Sequence, residues 1–400
     1  MTNVTILNQY FYPENVTSAT LTTELATGLV EKGIKVKAIT GMPHEYHKGN
    51  VAKTDDKDGV RIERIDYSYH DRSTKIGRLR NYFSFFFAIL RNRKLLLGTD
   101  VLIVYSSPPI NPIIPALLSA RYGYKMIYVV YDLYPDMAVN FGYMKKRGIS
   151  ARTFERINQF VYSKCSRIVV LSSDMEQYFA EHKGHAAKIA TIPNWYGGSP
   201  GVAKEADPTN KHFSVLYGGN IGIVQDVGTL LDGMERISDN TDIDFIFAAH
   251  GNKKQDFFDE VQRRNITAVK DVGHLEKLEY DKIVSAADLA IVSVDEKIAG
   301  LASPSKYYSY LAKGIPVLFI GSSAMDIAKD IKTHEIGYAI PNHDAQAFAD
   351  AILDAKDNPI KMKEMRNNAL RLFKSEYTKN ICIDKYAILI EQIVKEGNPC

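Results

Sequence analysis

Short apolar runs alternate along this chain with longer stretches of helical periodicity, and that alternation restricts its fold more than any other feature. Val4–Leu7 reads as a strand. Thr20–Val30 then carries Leu21, Leu25, Leu29 and Val30 at helical spacing, with Gly33 as a stop before the strand Val36–Ile39. The rhythm recurs as Val101–Tyr105 before Ile113–Tyr122 and as Met126–Val130 before a loop. It returns as a helix over Ala151–Ser163 ahead of Arg167–Leu171 and Asp174–Glu181. Strands without polar alternation, each followed by an amphipathic helix, predict a parallel sheet covered on both faces. The pattern lapses over 191–210 (TIPNWYGGSPGVAKEADPTN), where Pro, Gly and Asn cluster without periodicity. It restarts with a strand at Phe213–Tyr217, a Gly-Gly-Asn turn and a helix over Val227–Ile237. Further strands are predicted at Phe245–Ala249, Ala268–Asp271, Leu289–Val294, Pro316–Ile320 and Tyr338–Ile340.

The expected architecture is therefore α/β, with two tandem doubly wound domains and no sequence repeat. The boundaries are a first domain over 1–195, a linker over 196–212, a second domain over 213–375 and a C-terminal segment over 376–400. That last segment contains an amphipathic helix, Cys382–Val394, which could pack back on the first domain. Open sheets of this kind bind ligands at the carboxyl ends of their strands, so a cleft between the domains is the expected site.

Composition excludes several classes. The 400 residues are 45% hydrophobic and 24% charged, a globular balance unlike that of a disordered or collagen-like chain. Cys165, Cys382 and Cys400 are widely spaced and form no CxxC pair, which argues against a zinc cluster or a disulfide framework and for a reducing, cytoplasmic setting. The start of the chain has no basic region ahead of a long apolar one, so no export signal is expected. The longest apolar run, Tyr82–Leu90, is too short to span a bilayer. The net charge of +3 hides an asymmetry: residues 1–196 hold 26 basic and 17 acidic side chains, a balance of +9, and the remainder carries −6.

Four loops could carry chemistry. Asn8–Ser18 lies where a phosphate-binding turn would, without GxGxxG; Thr17, Ser18 and the following helix N-terminus could hold an anion, or simply cap the helix. Tyr131–Asp136 (YDLYPD) follows a buried strand, so Asp132 is a candidate base or ligand of an acceptor hydroxyl. Asp136 stands behind it and could instead be an N-cap. In Gly218–Asp226 (GGNIGIVQD), glycines allow close backbone approach, and Asn220 and Gln225 offer donors. The most specific loop is Ala302–Gly314 (ASPSKYYSYLAKG). There Ser303 and Ser305 flank Pro304 at a predicted helix start, and Lys306 could place a point charge over a phosphate. A lysine in a first helical turn is otherwise disfavoured by the helix dipole.

A basic and aromatic stretch completes the set. Arg72, Lys75, Arg78, Arg80, Arg91, Arg93 and Lys94 bracket YFSFFFAIL with no acid among them. Such a segment suits an anionic membrane surface or a lipid-linked substrate, though a buried helix with solvated ends has the same composition. No nucleic-acid recognition motif accompanies it. His44 and His47 share a loop, His250 and His274 sit at separate strand ends, and no metal-ligand spacing appears.

Taken together, QYFYPE at the first loop, DLYPD at Asp132–Asp136, TIPN at Thr191–Asn194, YGGNIG at Tyr217–Gly222 and SPSKYYSYLAKGIPVL from Ser303 resemble family 4 glycosyltransferases of the two-Rossmann GT-B fold. The bacterial group that builds capsule, O-antigen or exopolysaccharide, fucosamine-transferase-like, is the most similar, and the resemblance spans nearly the whole chain. It implies transfer of a sugar from a nucleotide-diphosphate donor to a hydroxyl, with retention at the anomeric carbon and without a cofactor or bound metal. The donor would meet Gly218, Gly219, Asn220, Gly222, Gln225 and His250 on the second domain. Its base would lie near Gly273, His274 and Leu275, and its phosphates near Ser303, Ser305 and Lys306. The acceptor, a glycan or a polyprenyl-diphosphate-linked one, would meet Tyr12, Asn15, Thr17, Ser18, Asp132 and Asp136. The basic first half would face the inner surface of the membrane.

Two departures qualify the resemblance. The family's pair of glutamates ahead of its AAG segment falls on Leu301 and Ser309 here, and the Arg and Lys of its phosphate turn fall on Asn220 and Gln225. The second glutamate generally holds the nucleotide ribose; Ser309, Tyr307 or Tyr308 would have to replace it. Its loss motivates an alternative, a catalytically degenerate relative acting as a binding partner.

Overall fold

The computed structural model describes residues 2–44, 49–70, 74–201, 212–273 and 275–396. His47, Arg72, His274, Cys400 and most of the expected linker lie outside them, as does the side chain of Lys75. The chain divides into two compact units. The first comprises residues up to 197, the short segment Leu301–Ser303, and everything from Lys379 on; the second comprises Gly198–Gly300 and Pro304–Thr378.

The first unit runs β1 (Asn3–Leu7), α1 (Thr17–Glu31), β2 (Lys35–Gly41), β3 (Thr54–Lys57), β4 (Val60–Ile65), α2 (Lys75–Arg91), β5 (Val101–Tyr105) and α3 (Ile113–Tyr122). It continues through β6 (Lys125–Val129), α4 (Asp136–Asn140), α5 (Ile149–Lys164), β7 (Arg167–Val170), α6 (Ser173–Lys183) and β8 (Ile189–Thr191). Its sheet has the order β3-β4-β2-β1-β5-β6-β7-β8, parallel except for the antiparallel β3–β4 pair. That hairpin was not expected. β3 reads TDDK, an edge strand whose polar residues carry no apolar period.

The second unit runs β9 (Phe213–Asn220), α7 (Val227–Arg236), β10 (Ile243–His250), α8 (Lys254–Arg263), β11 (Val269–Asp271), α9 (Lys277–Ala286) and β12 (Leu289–Ser293). After these come α10 (Lys306–Ala312), β13 (Val317–Ile320), α11 (Asp326–His334), β14 (Gly337–Ile340), α12 (Ala345–Asp357) and α13 (Pro359–Leu372). Its six strands, ordered β11-β10-β9-β12-β13-β14, are all parallel. Both sheets are doubly wound, with buried β1, β5, β9 and β12 at their centres.

The last helix, α14 (Lys379–Glu396), belongs to the first unit. Cys382, Ile383, Tyr386, Leu389, Ile390 and Ile393 enter the same core as Leu25 and Leu29 of α1 and Val4 and Ile6 of β1. The approach is close enough that a Cβ on Gly28 would stand 2.4 Å from Ile383 Cδ1. Glycine in the middle of α1 is therefore a packing requirement, which offsets its helical penalty.

Candidate functional site

At the carboxyl edge of the first sheet, β6 delivers its following loop as predicted. Asp132 forms an isolated antiparallel bridge with Ala302, and the Leu133 amide donates to the Leu301 carbonyl at 2.9 Å. The Asp132 carboxyl has no ion-pair partner among the described residues, and burial pushes its pKa up to about 6. It is therefore a carboxylate able to take a proton near neutrality. Other polar atoms in loops that follow strands of this sheet are likewise unpartnered. Oδ1 of Asn8 after β1, Oδ1 of Asn111 after β5 and Oγ of Ser172 after β7 are buried with no hydrogen-bond partner. Such atoms are costly unless something polar reaches them. Sequence reasoning missed all three, because single Asn and Ser residues in loops carry no pattern.

The other first-unit candidates divide. Tyr12 and Asn15 are exposed beside α1, and Lys57 Nζ sits 5.4 Å from the Tyr12 ring centroid. Thr17 and Ser18 do not cap α1: the N-cap is Val16, which makes no side-chain cap. Asp136 is not an N-cap either, since Pro135 holds that position. Its carboxylate accepts from Tyr178 Oη at 2.9 Å and pairs with buried Lys183 at 2.6 Å, and that lysine also pairs with Glu155. Asp136 is thus engaged in tying α4 to α5 and α6, which opposes a role in holding ligand.

In the second unit, the predicted Gly-Gly-Asn turn is the end of β9. Gly218, Gly219 and Asn220 stay in register with Ala248, Ala249 and His250 of β10, and the chain leaves the sheet only at Ile221. The Ile221 amide donates to the His250 carbonyl at 2.7 Å. Gln225 Oε1 accepts from the Gly222 amide at 2.8 Å and from Asn220 Nδ2 at 3.5 Å. This closes the loop and leaves the Gln225 amide group as a donor. Gly251, with φ 118°, is required here, since a Cβ would meet Asn220 Oδ1 at 2.3 Å. Gly273 lies at φ 73° and its amide donates to Asp271 Oδ1; Leu275 is half-buried beyond it.

Lys306 is not the solvated first-turn lysine its position would allow. Its stem is half-buried, while Nζ is sealed from solvent, has no hydrogen-bond partner and lies 4.0 Å from the ring centroid of Tyr217. Burial lowers its pKa to about 7. An ammonium poised between its two forms, over an aromatic face, strongly favours an anion brought to it.

Tyrosines that the sequence reading passed over position this end of the sheet. Tyr217 Oη donates to the Asn220 carbonyl at 2.8 Å, Tyr310 Oη accepts from the Gly218 amide at 3.1 Å, and Tyr280 bonds Tyr310. A Cβ on Gly218 would stand 2.2 Å from Tyr280 Oη. Ser305 is exposed at the N-cap of α10 and makes no side-chain cap. Ser309 donates to the Lys306 carbonyl at 2.7 Å, so its hydroxyl retains only acceptor capacity. Tyr307 is no substitute for the absent glutamate, because it is buried and donates to Asp330 at 2.8 Å. Tyr377 donates to the same carboxylate at 2.6 Å, which anchors the seven-residue α10 from behind. Tyr308 is buried too.

Sequence comparison assigns the chain to a family. Residues 17–195 match the model of the glycosyl transferase 4-like domain, and residues 203–372 match that of glycosyl transferases group 1. The chain belongs to the glycosyltransferases of the GT-B fold. This glycosyltransferase is 23% identical over 343 residues to the probable glycosyltransferase WbjE of Pseudomonas aeruginosa, covering 82% of this chain and 84% of that one. Among solved structures it is similar to sucrose-phosphate synthase from Thermosynechococcus elongatus (TM-score 0.79, 14% identity, 99% and 100% of the two chains). It is also similar to Anabaena HepE in complex with UDP and glucose (TM-score 0.71, 12% identity, 98% and 100%). At such identities the structural likeness establishes a shared fold. In this glycosyltransferase no described helix is long and apolar enough to cross a membrane.

Proposed function

We propose that this glycosyltransferase moves a sugar from a nucleotide-diphosphate donor to a hydroxyl of a lipid-linked glycan, with retention, in the synthesis of a cell-surface polysaccharide. The observation that carries the reading is the sealed, unpartnered Nζ of Lys306 above Tyr217 at the end of β9. A diphosphate there supplies the counter-charge that the second unit does not, and the amides of Gly218–Gly222 add donors without a metal. HepE, a structural relative, has been solved with UDP and with UDP-glucose, which supports a nucleotide sugar as donor. The role in cell-surface polysaccharide rests on the resemblance of the five motifs.

In the reaction, the bond from the anomeric carbon to the diphosphate oxygen breaks, and the acceptor oxygen forms the new bond from the same face. The acceptor proton passes to the Asp132 carboxylate, and Lys306 stabilises the departing diphosphate. The orphaned oxygens of Asn8, Asn111 and Ser172 suit a hydroxyl-rich acceptor in the first unit.

A thermal-shift screen across nucleotide sugars, followed by a transfer assay with the best stabiliser, tests the reading. One donor is expected to raise the melting temperature and be consumed, and Lys306→Ala to abolish both effects. Stabilisation without turnover under any acceptor would favour the degenerate binding partner, to which buried Leu301 and the self-bonded Ser309 lend weight. No stabilisation by any nucleotide sugar would overturn both.

A further inference from the structure

Tyr280 of α9 and Tyr310 of α10 meet over Gly218, and their two hydroxyls hold one proton more than the fold uses. The Gly218 amide donates to Tyr310 Oη at 3.1 Å. Tyr280 Oη lies against the same glycine, where a Cβ would stand 2.2 Å from it, and the two hydroxyls bond each other. Such a pair has two protons and spends one of them between its oxygens, so the other must be given elsewhere. Were Tyr280 the donor within the pair, the proton left over would be that of Tyr310, which is fully buried and has no further acceptor among the described residues. Stranding a donor there is costly. Tyr310 therefore donates to Tyr280, and the unspent proton is that of Tyr280. This residue is only half-buried, and its hydroxyl donates to no described residue.

Other unspent donors lie along the same stretch. Lys306 stands four residues before Tyr310, on the same face of α10, and its sealed Nζ is 4.0 Å from the ring centroid of Tyr217, the residue before Gly218. The loop leaving β9 adds the amide group of Gln225, whose Oε1 is already taken by the Gly222 amide. Asp226, the carboxylate that follows, accepts from Thr229 and Asn342 and is not free to receive any of them. An ammonium, a hydroxyl proton and an amide group, with no acid to answer them, suit a ligand rich in lone pairs and negative charge.

We infer that Tyr280 binds the donor substrate directly, its hydroxyl donating to an oxygen of the diphosphate while Tyr310 holds it in that orientation. This contact rests on the proposed function and adds a residue to it. Burial raises the Tyr280 pKa above its ordinary value, so the hydroxyl keeps its proton at neutral pH. Negative charge on the diphosphate grows as the bond to the sugar breaks, so the hydrogen bond strengthens towards the transition state.

The test is titration calorimetry of the full chain with uridine and guanosine diphosphates, with inorganic pyrophosphate and with the two nucleosides. Tyr280→Phe removes the proton and keeps the ring. It should weaken the preferred nucleoside diphosphate and pyrophosphate by about 10–100-fold, leave the nucleoside unchanged, and lower turnover of the nucleotide sugar. Tyr280 also receives the Tyr310 proton, so the variant loosens the fold as well. The ratio of diphosphate to nucleoside affinity separates the two effects, because a loosened site weakens both ligands alike. Unchanged diphosphate binding in Tyr280→Phe, or an equal loss with the nucleoside, overturns the inference and leaves the proposed function standing. A wild-type chain that binds neither a nucleoside diphosphate nor a nucleotide sugar overturns both.

Discussion

Lys306 holds a position that folding alone would not choose. An unfolded lysine titrates near 10.5 and this one near 7, so between those values the unfolded chain holds more protons. Its burial penalty is therefore complete below about pH 7 and fades as pH rises towards 10.5. Lys306→Met should stabilise the protein by about 1–3 kcal/mol at neutral pH, abolish the gain in stability between pH 7 and 10, and lower turnover. Calorimetry across pH beside a transfer assay checks all three; a destabilised variant would contradict the assignment. Binding of a diphosphate should also raise this pKa, so nucleotide binding near pH 8 should take up a proton, visible when the binding heat is compared between buffers of different ionisation enthalpy. Asp132 titrates from the other side. With its pKa near 6, kcat/KM should rise with pH through that value, and Asp132→Asn should remove the limb along with most of the activity. Both residues were legible in the sequence through their place after a strand or at a helix start. Their burial was not, because it is set by Tyr217 and by loops distant in the chain.

Elements were legible where they carried a period. Every buried central strand of both sheets was predicted within about two residues at its start, since four or five consecutive apolar residues leave little alternative. Glycine misled at β9: Gly218 and Gly219 look like a turn, yet they continue the ladder because Tyr280 lies where a side chain would go. That contact is testable. Gly218→Ala should cost about 1–3 kcal/mol by overpacking, and Tyr280→Phe should recover part of it, measured by urea unfolding. The α1–α14 contact offers the same test. Gly28→Ala should destabilise by a similar amount, and Ile383→Val should relieve it. The tyrosines bracing Gly218 had no signal, since a tyrosine in a helix reads as ordinary core until its hydroxyl is placed. For α2 the sequence showed an apolar run with basic ends but not which residues face solvent.

On the scale of the whole molecule, the chain's order differs from the order of its cores. The first unit takes its last helix from beyond the second unit, so Val4 and Ile6 share a core with Ile390 and Ile393. A fragment covering 198–378 should fold by itself, with a cooperative melt in near-ultraviolet circular dichroism. One covering 1–197 should not, until a peptide spanning 379–396 is added in trans. Cooperative folding of the shorter piece alone would show α14 to be dispensable.

That late helix also sets a timetable during synthesis. At about 5–20 residues per second, the ribosome takes roughly 10–40 s to make the stretch between Gly197 and Lys379. Throughout that interval the nascent first unit has an apolar face awaiting its cover. A message broken anywhere in the second unit therefore releases a product that still shows this face, and chaperones and proteases recognise such surfaces. The first core can close only once residues 379–396 have left the ribosome.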